Sequence, residues 1–191
     1  MRRNRTDGMI AIIDYDAGNL KSVEKAFGAL GQECVITGDY REILAADRVV
    51  LPGVGAFGTA MDQLKRRGLD PVIREVAAKK TPFLGICLGL QLLFAGSEEN
   101  GGTEGLHLLD GEILKIPECE GLKIPHIGWN SLTLSSGGRL FAGEENPYVY
   151  FVHSYYLKAA DESIVKAKTE YGVTIHASVE KGNLFACQFH P

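Results

Sequence analysis

Pro82-Phe83-Leu84-Gly85-Ile86-Cys87-Leu88-Gly89-Leu90-Gln91-Leu92-Leu93-Phe94 is an apolar run that changes character in its middle. Phe83 to Ile86 reads as a buried strand, since a short continuous apolar stretch opened by Pro suits a strand covered on both faces. Leu88 to Phe94 reads as helix. Between them, Gly85-Ile86-Cys87-Leu88-Gly89 sets a small residue two places to either side of a reactive one, the form of a nucleophile elbow. Glycines suit such a turn because a β-carbon would clash where the backbone segments close on each other. Cys87 would then stand at a strand's carboxyl end and a helix's amino end, where free N–H groups favour a thiolate and lower the thiol pKa. The Leu88 N–H would point to where an oxyanion forms. The plainer alternative is an inert buried cysteine, the commonest fate of a lone Cys in an apolar run.

Outward from this segment, the first half alternates strand and helix patterns. Met9 to Asp14, Cys34 to Ile36 and Arg48 to Leu51 read as strands, and Asn19 to Leu30 as a helix with Leu20, Val23, Phe27 and Leu30 on one face. Helices are also expected over 57–67 and 71–79. This alternation predicts an α/β fold, a doubly wound, mainly parallel sheet with helices on both faces and its site at the carboxyl ends of the strands. From Gly111 onward, strands are expected over 112–116, 131–134, 148–157, 173–179 and 184–189, adding antiparallel strands to one side in the C-terminal half.

At 191 residues, 45% apolar and 23% charged, the chain suits one globular domain, and a net charge of −4 argues against nucleic acid or an anionic membrane as partner. No stretch approaches the ~18 uninterrupted apolar residues of a membrane span, so the expected location is cytoplasmic. Residues 1–8 are polar and patternless and read as a disordered leader or expression remnant, with a single domain over 9–191. Cys34, Cys87, Cys119 and Cys187 form no Cys-x-x-Cys pair and have no His at zinc-like spacing. Neither a disulfide framework nor a metal site is expected.

Two further segments could complete a site around Cys87. Leu51-Pro52-Gly53-Val54-Gly55-Ala56-Phe57 joins a strand to a helix, and its glycines leave N–H groups uncovered for a second oxyanion donor. It lacks the Lys and Ser/Thr of a phosphate loop. Gln188-Phe189-His190-Pro191 follows the last strand, and His190 can take the thiol proton and return it to a leaving amine. Pro191 would help hold its direction. His153, in Phe151-Val152-His153-Ser154-Tyr155, is the competing base. His107 and His126 lie in loop-like sequence, and His176 lies in an expected strand, where a satisfied structural imidazole is the better reading.

Gly85-Ile86-Cys87-Leu88-Gly89-Leu90-Gln91 and Phe189-His190-Pro191 resemble the nucleophile and histidine motifs of the class I (triad-type) glutamine amidotransferases, and the resemblance spans nearly all of residues 9–191. Tyr15 to Leu20 with Ser22, Pro52 to Phe57, Pro125 to Asn130 and Tyr150 to Tyr156 resemble the histidine-biosynthesis branch more than the anthranilate, carbamoyl phosphate or GMP branches. The resemblance implies hydrolysis of glutamine to glutamate and ammonia, with no cofactor. Cys87 would be the nucleophile, His190 the proton shuttle, and Val54, Gly55 and Leu88 the oxyanion site. Gln91 and Glu99 would hold the amino-acid end of the substrate, with the backbone of His153, Ser154 and Tyr155 lining the pocket. A carboxylate such as Glu99 can pair with the substrate ammonium; its bland alternative is a solvated loop charge. The resemblance also implies a heterodimer with a (β/α)₈ cyclase subunit, which takes the ammonia through a dry channel to make imidazole glycerol phosphate. Asn19, Trp129 and Asn130 would belong to that interface.

The family carries a Glu two places after the histidine, and this sequence stops at Pro191. The expectation is a C-terminally shortened chain, far less active than its full-length parent, because a missing orienting acid costs ~10⁴-fold in a serine-protease triad. Two rival functions remain: a related cysteine hydrolase, against which Gln91 and the Phe-His-Pro ending count, and a catalytically dead docking subunit.

Overall fold

A computed structural model describes residues 8–190. The expectations for residues 1–7 of the leader and for Pro191 lie outside that range. Gly8, also assigned to the leader, is half-buried, and its carbonyl accepts a 3.4 Å hydrogen bond from Arg48.

The first half runs β1 (Ile10–Ile13), α1 (Leu20–Ala29), β2 (Cys34–Thr37), α2 (Tyr40–Ala45), β3 (Arg48–Gly53), α3 (Phe57–Arg66), α4 (Leu69–Ala78), β4 (Phe83–Cys87) and α5 (Leu88–Leu92). Strands β2, β1, β3 and β4 lie side by side and parallel. Alternate residues of β1 enter different cores: Ala11 and Ile13 pack with Ile43, Met61, Leu64 and Ile73, while Ile10 and Ile12 pack with Val23. Helix α1 therefore covers one face of the sheet and α2 to α4 the other, as the period-2 geometry of a doubly covered strand requires. Leu30, expected on the buried face of α1, is 74% exposed, one residue past the helix end. The short α2 was not foreseen; Asp39 starts it by accepting from the Arg41 N–H at 2.8 Å.

The second half adds β5 (Gly96–Ser97), β6 (Thr103–Glu104), β7 (Gly111–Lys115), β8 (His126–Ser131), β9 (Thr133–Leu134), β10 (Tyr148–His153), β11 (Tyr155–Ala159), β12 (Val165–Glu170), β13 (Thr174–Lys181) and β14 (Leu184–Cys187). β14 runs parallel beside β4, and β13, β12 and β9 extend that edge antiparallel, completing an eight-stranded sheet. The expected antiparallel addition on one side is therefore present. The expected single strand over 148–157 is two strands: β10 pairs with β8 in a ribbon, and after Ser154 β11 joins a separate sheet with β7, β5 and β6. The expected strand over 131–134 is divided between β8 and β9, and β12 was not foreseen. Among the described residues no helix is long and apolar enough to cross a membrane.

Candidate active site

At the carboxyl end of β4 the chain reverses through Cys87, whose φ of 57° and ψ of −114° are rare for a residue with a side chain. The glycines around it are demanded by space. A β-carbon on Gly89 would run into the Leu51 carbonyl oxygen of β3, and one on Gly85 would lie 2.7 Å from the Gly89 carbonyl oxygen. The elbow thus forms because β3, β4 and α5 press backbone against backbone.

Cys87 opens onto a cavity of about 420 Å³. Val54, Gly55, Leu88, Gln91, Glu99, His153, Ser154, Tyr155 and His190 line the same cavity. Every residue expected in catalysis, oxyanion binding or substrate binding is therefore gathered there, from positions between 54 and 190. Asn19, expected at the docking surface, also lines it, and its Nδ2 lies 3.2 Å from His190 Nε2. Tyr150, Val152 and Gln188 complete the wall. Sequence reasoning assigned those three no role, although Gln188 sits two residues before His190.

The thiol differs from the expectation. Burial pushes the Cys87 pKa up, and the Leu88 N–H and the Gln188 amide only partly oppose this by bonding the sulfur. The expected lowering fails because the sulfur is largely withdrawn from water, which disfavours the thiolate. Deprotonation at Cys87 therefore needs a base.

His153 is excluded from that task by its partners. Its Nδ1 lies 2.8 Å from the Tyr155 carbonyl oxygen, which only accepts, so Nδ1 carries the proton. Its Nε2 is then an acceptor, and it meets His126 Nδ1 at 3.1 Å. Both rings are buried, and burial pushes both pKa values down to about 4. Both imidazoles are neutral near pH 7, and both nitrogens of His153 are engaged. His190 is left as the imidazole of the cavity that can serve Cys87. His176 is structural, as expected: its Nδ1 accepts from the Ala159 N–H at 3.0 Å.

Glu99 is half-buried and tied to the fold. Its Oε2 accepts from the Phe57 N–H at 2.7 Å, at the amino end of α3 and the exit of the 52–57 loop. The other end of that loop is held by Tyr15, whose buried hydroxyl donates to the Pro52 carbonyl oxygen at 3.0 Å. Gly55 between them has a φ of +92°, open to glycine.

Trp129 and Asn130 lie outside the cavity, on the β8–β10 ribbon. Trp129 is 71% exposed, and its outward neighbours Ile127, Tyr148, Tyr150 and Val152 are exposed as well. The ribbon's register sets Trp129 opposite Tyr150 and Ile127 opposite Val152, so one face carries a continuous apolar patch. Asn130 turns the other way and donates to the Glu170 carbonyl oxygen at 3.1 Å.

Comparison with known proteins agrees with this geometry. The family model "Glutamine amidotransferase class-I" matches residues 11–191. A relative from Moorella thermoacetica, described as "Imidazole glycerol phosphate synthase subunit HisH", is 52% identical over 95% of this chain and 86% of its own length. One of the same description from Oceanobacillus iheyensis is 49% identical, covering 96% of this chain and 90% of its own. Among solved structures, a glutamine amidotransferase superposes with a TM-score of 0.75 at 16% identity, covering 95% of this chain and 89% of its own. Another glutamine amidotransferase, from Thermotoga maritima, superposes at 0.68 with 18% identity, over 95% of this chain and 75% of its own. The elbow, the cavity and these matches lead to one conclusion: the chain belongs to the class I glutamine amidotransferases.

Proposed function

We propose that this chain is the glutaminase subunit of an imidazole glycerol phosphate synthase, acting in histidine biosynthesis in the cytoplasm as one half of a heterodimer. The observation that carries the reading is the shared cavity, in which a strained elbow cysteine, a histidine, an anion-ready glycine loop and the carboxylate Glu99 meet.

His190 takes the proton of Cys87, and the thiolate attacks the side-chain amide carbon of glutamine. The carbonyl oxygen becomes an oxyanion beside the Leu88 N–H and the Val54–Gly55 backbone, which line the cavity with Cys87. As the tetrahedral intermediate collapses, His190 protonates the nitrogen and ammonia leaves, giving a γ-glutamyl thioester on Cys87. Water, deprotonated by His190, then attacks the thioester, releasing glutamate and the thiol. Glu99 has one oxygen committed to Phe57 and a negative charge suited to the substrate ammonium. Gln91 donates both amide hydrogens inside the protein, to Tyr155 O at 3.0 Å and Gln188 Oε1 at 2.9 Å, so its own oxygen is the atom left to accept from the substrate. The backbone of His153, Ser154 and Tyr155 lines the pocket beside it.

The partner is a (β/α)₈ cyclase subunit that consumes the ammonia. The apolar outer face of the ribbon, centred on Trp129, suits such docking, since exposed contiguous apolar patches mark interaction sites. The cavity reaches this ribbon through Tyr150 and Val152.

Glutamate release from glutamine, followed with the chain bound to a cyclase of histidine biosynthesis, tests the reading. Cys87→Ala and His190→Ala are each expected to lower turnover by about a thousandfold or more. Glutamate release that survives Cys87→Ala would refute it.

A further inference from the structure

We infer that Gln188 is a catalytic residue: its side-chain amide donates to Cys87 Sγ and holds the sulfur as the attacking thiolate, and buried hydrogen bonds through Gln91 to the Tyr155 carbonyl oxygen fix that amide's direction. The inference rests on the reading of Cys87 as nucleophile given above.

The directions are set by one atom that can only accept. The Tyr155 carbonyl oxygen receives His153 Nδ1 at 2.8 Å and Gln91 Nε2 at 3.0 Å, which fills its two lone pairs. The first contact fixes the tautomer of His153, so that its Nε2 accepts from His126 Nδ1 at 3.1 Å. The second fixes which end of the Gln91 amide is nitrogen. That nitrogen also donates to Gln188 Oε1 at 2.9 Å, so the Gln188 nitrogen must be the end facing Cys87, and it stands 3.8 Å from Sγ. Gln188 is 1% exposed, Gln91 6%, His153 7% and His126 2%, so water competes little for any of these bonds.

The far end of the line is as firmly seated. His126 is sandwiched between Tyr171 and Phe151, with ring centroids 3.8 and 4.6 Å away. An imidazole so stacked has little freedom to turn, and it lies on the inner face of the ribbon whose outer face carries Trp129. A donor to a thiolate is stronger than one to a neutral thiol, so the Gln188 contact favours the reactive form. In the reaction the amide N–H follows the sulfur from thiol to thiolate and gives up no proton; His190 remains the base. Gln91 acts on the sulfur only through Gln188, as a positioning residue.

The test is the pH dependence of Cys87 alkylation by iodoacetamide in the full chain, with the modified peptide quantified by mass. The titratable groups that couple to the sulfur or line its cavity are Tyr15, Cys187, His190, Glu99, His153, Tyr150 and Tyr155, and the Gln188 variants replace none of them. Gln188→Met keeps length and apolar packing without the donor; it is expected to move the midpoint upward by about one pH unit, slowing alkylation at neutral pH about tenfold. Gln188→Glu sets a carboxylate beside the sulfur and is expected to move it further. Gln91→Leu removes the bond that aims the Gln188 amide, and a smaller shift of the same sign is expected. A wild-type midpoint in Gln188→Met, in protein that circular dichroism shows folded, would overturn the inference. If the Met variant fails to fold, Gln188→Leu, which also removes the donor without adding charge, decides in its place. A wild-type midpoint in Gln91→Leu would overturn the role given to the buried line. Alkylation needs no glutamine, so a failure here is distinguishable from a failure of the glutaminase reading.

Discussion

Gly89 has no room for a methyl group, because its β-carbon position is occupied by the Leu51 carbonyl oxygen, and neither backbone can retreat without parting β3 from the elbow. Gly89→Ala is expected to cost about 3 kcal/mol, the upper end of what overpacking and backbone strain usually cost, or to prevent folding. Urea unfolding measures it. The buried pair His126 and His153 gives a second prediction. Each titrates near 6.5 when unfolded and at about 4 when folded, so between those values the unfolded chain takes up protons that the folded chain refuses. Stability is full above pH 6.5 and falls as pH drops toward 4; the urea midpoint is expected to be lower at pH 5 than at pH 7. His126→Phe should narrow that difference, and an unchanged difference would contradict the pKa assignment. At this scale the sequence was informative where chemistry depends on spacing, as with Cys87 between Gly85 and Gly89. It was silent where chemistry depends on tertiary company: the upward push on the Cys87 thiol and the capping bond of Glu99 to Phe57 join residues that the chain order keeps apart.

Among the elements, the β8–β10 ribbon divides its duties by face. His126, Phe151 and His153 point inward, and Ile127, Trp129, Tyr150 and Val152 point outward, through the period of two that strands impose. Trp129→Ala is expected to leave unfolding stability within about 0.5 kcal/mol, as for a surface side chain, while weakening binding to the cyclase by about 2 kcal/mol or more, roughly thirtyfold, as for a buried aromatic anchor. Calorimetric titration against the cyclase and thermal unfolding of the free chain separate the two effects. The parallel strands of the first half were legible because each is covered on both faces and therefore reads as an unbroken apolar run. The break at Ser154 was not, since Tyr148 to Leu157 keeps a strand-like composition throughout and only the change of partner, from β8 to β7, divides it. Nor was α2, six residues whose local signals are the capping Asp39 and Glu42 three places on.

Over the whole molecule, β3 and β4 deliver the glycine loop and the elbow to one end of the sheet, and β14, parallel beside β4, carries Gln188 and His190 to the same end. That arrangement follows the rule that open α/β sheets bind ligands at the carboxyl ends of their strands. It explains why residues far apart in the chain share one cavity of about 420 Å³. The measurement that bears most directly on it is labelling of the chain, bound to its cyclase, with a diazo-ketone analogue of glutamine, followed by peptide mass mapping. A single adduct at Cys87, prevented by glutamine and absent from Cys87→Ala, is the expected result. An unlabelled Cys87, or an adduct indifferent to glutamine, would contradict the assignment of this cavity as the glutaminase site.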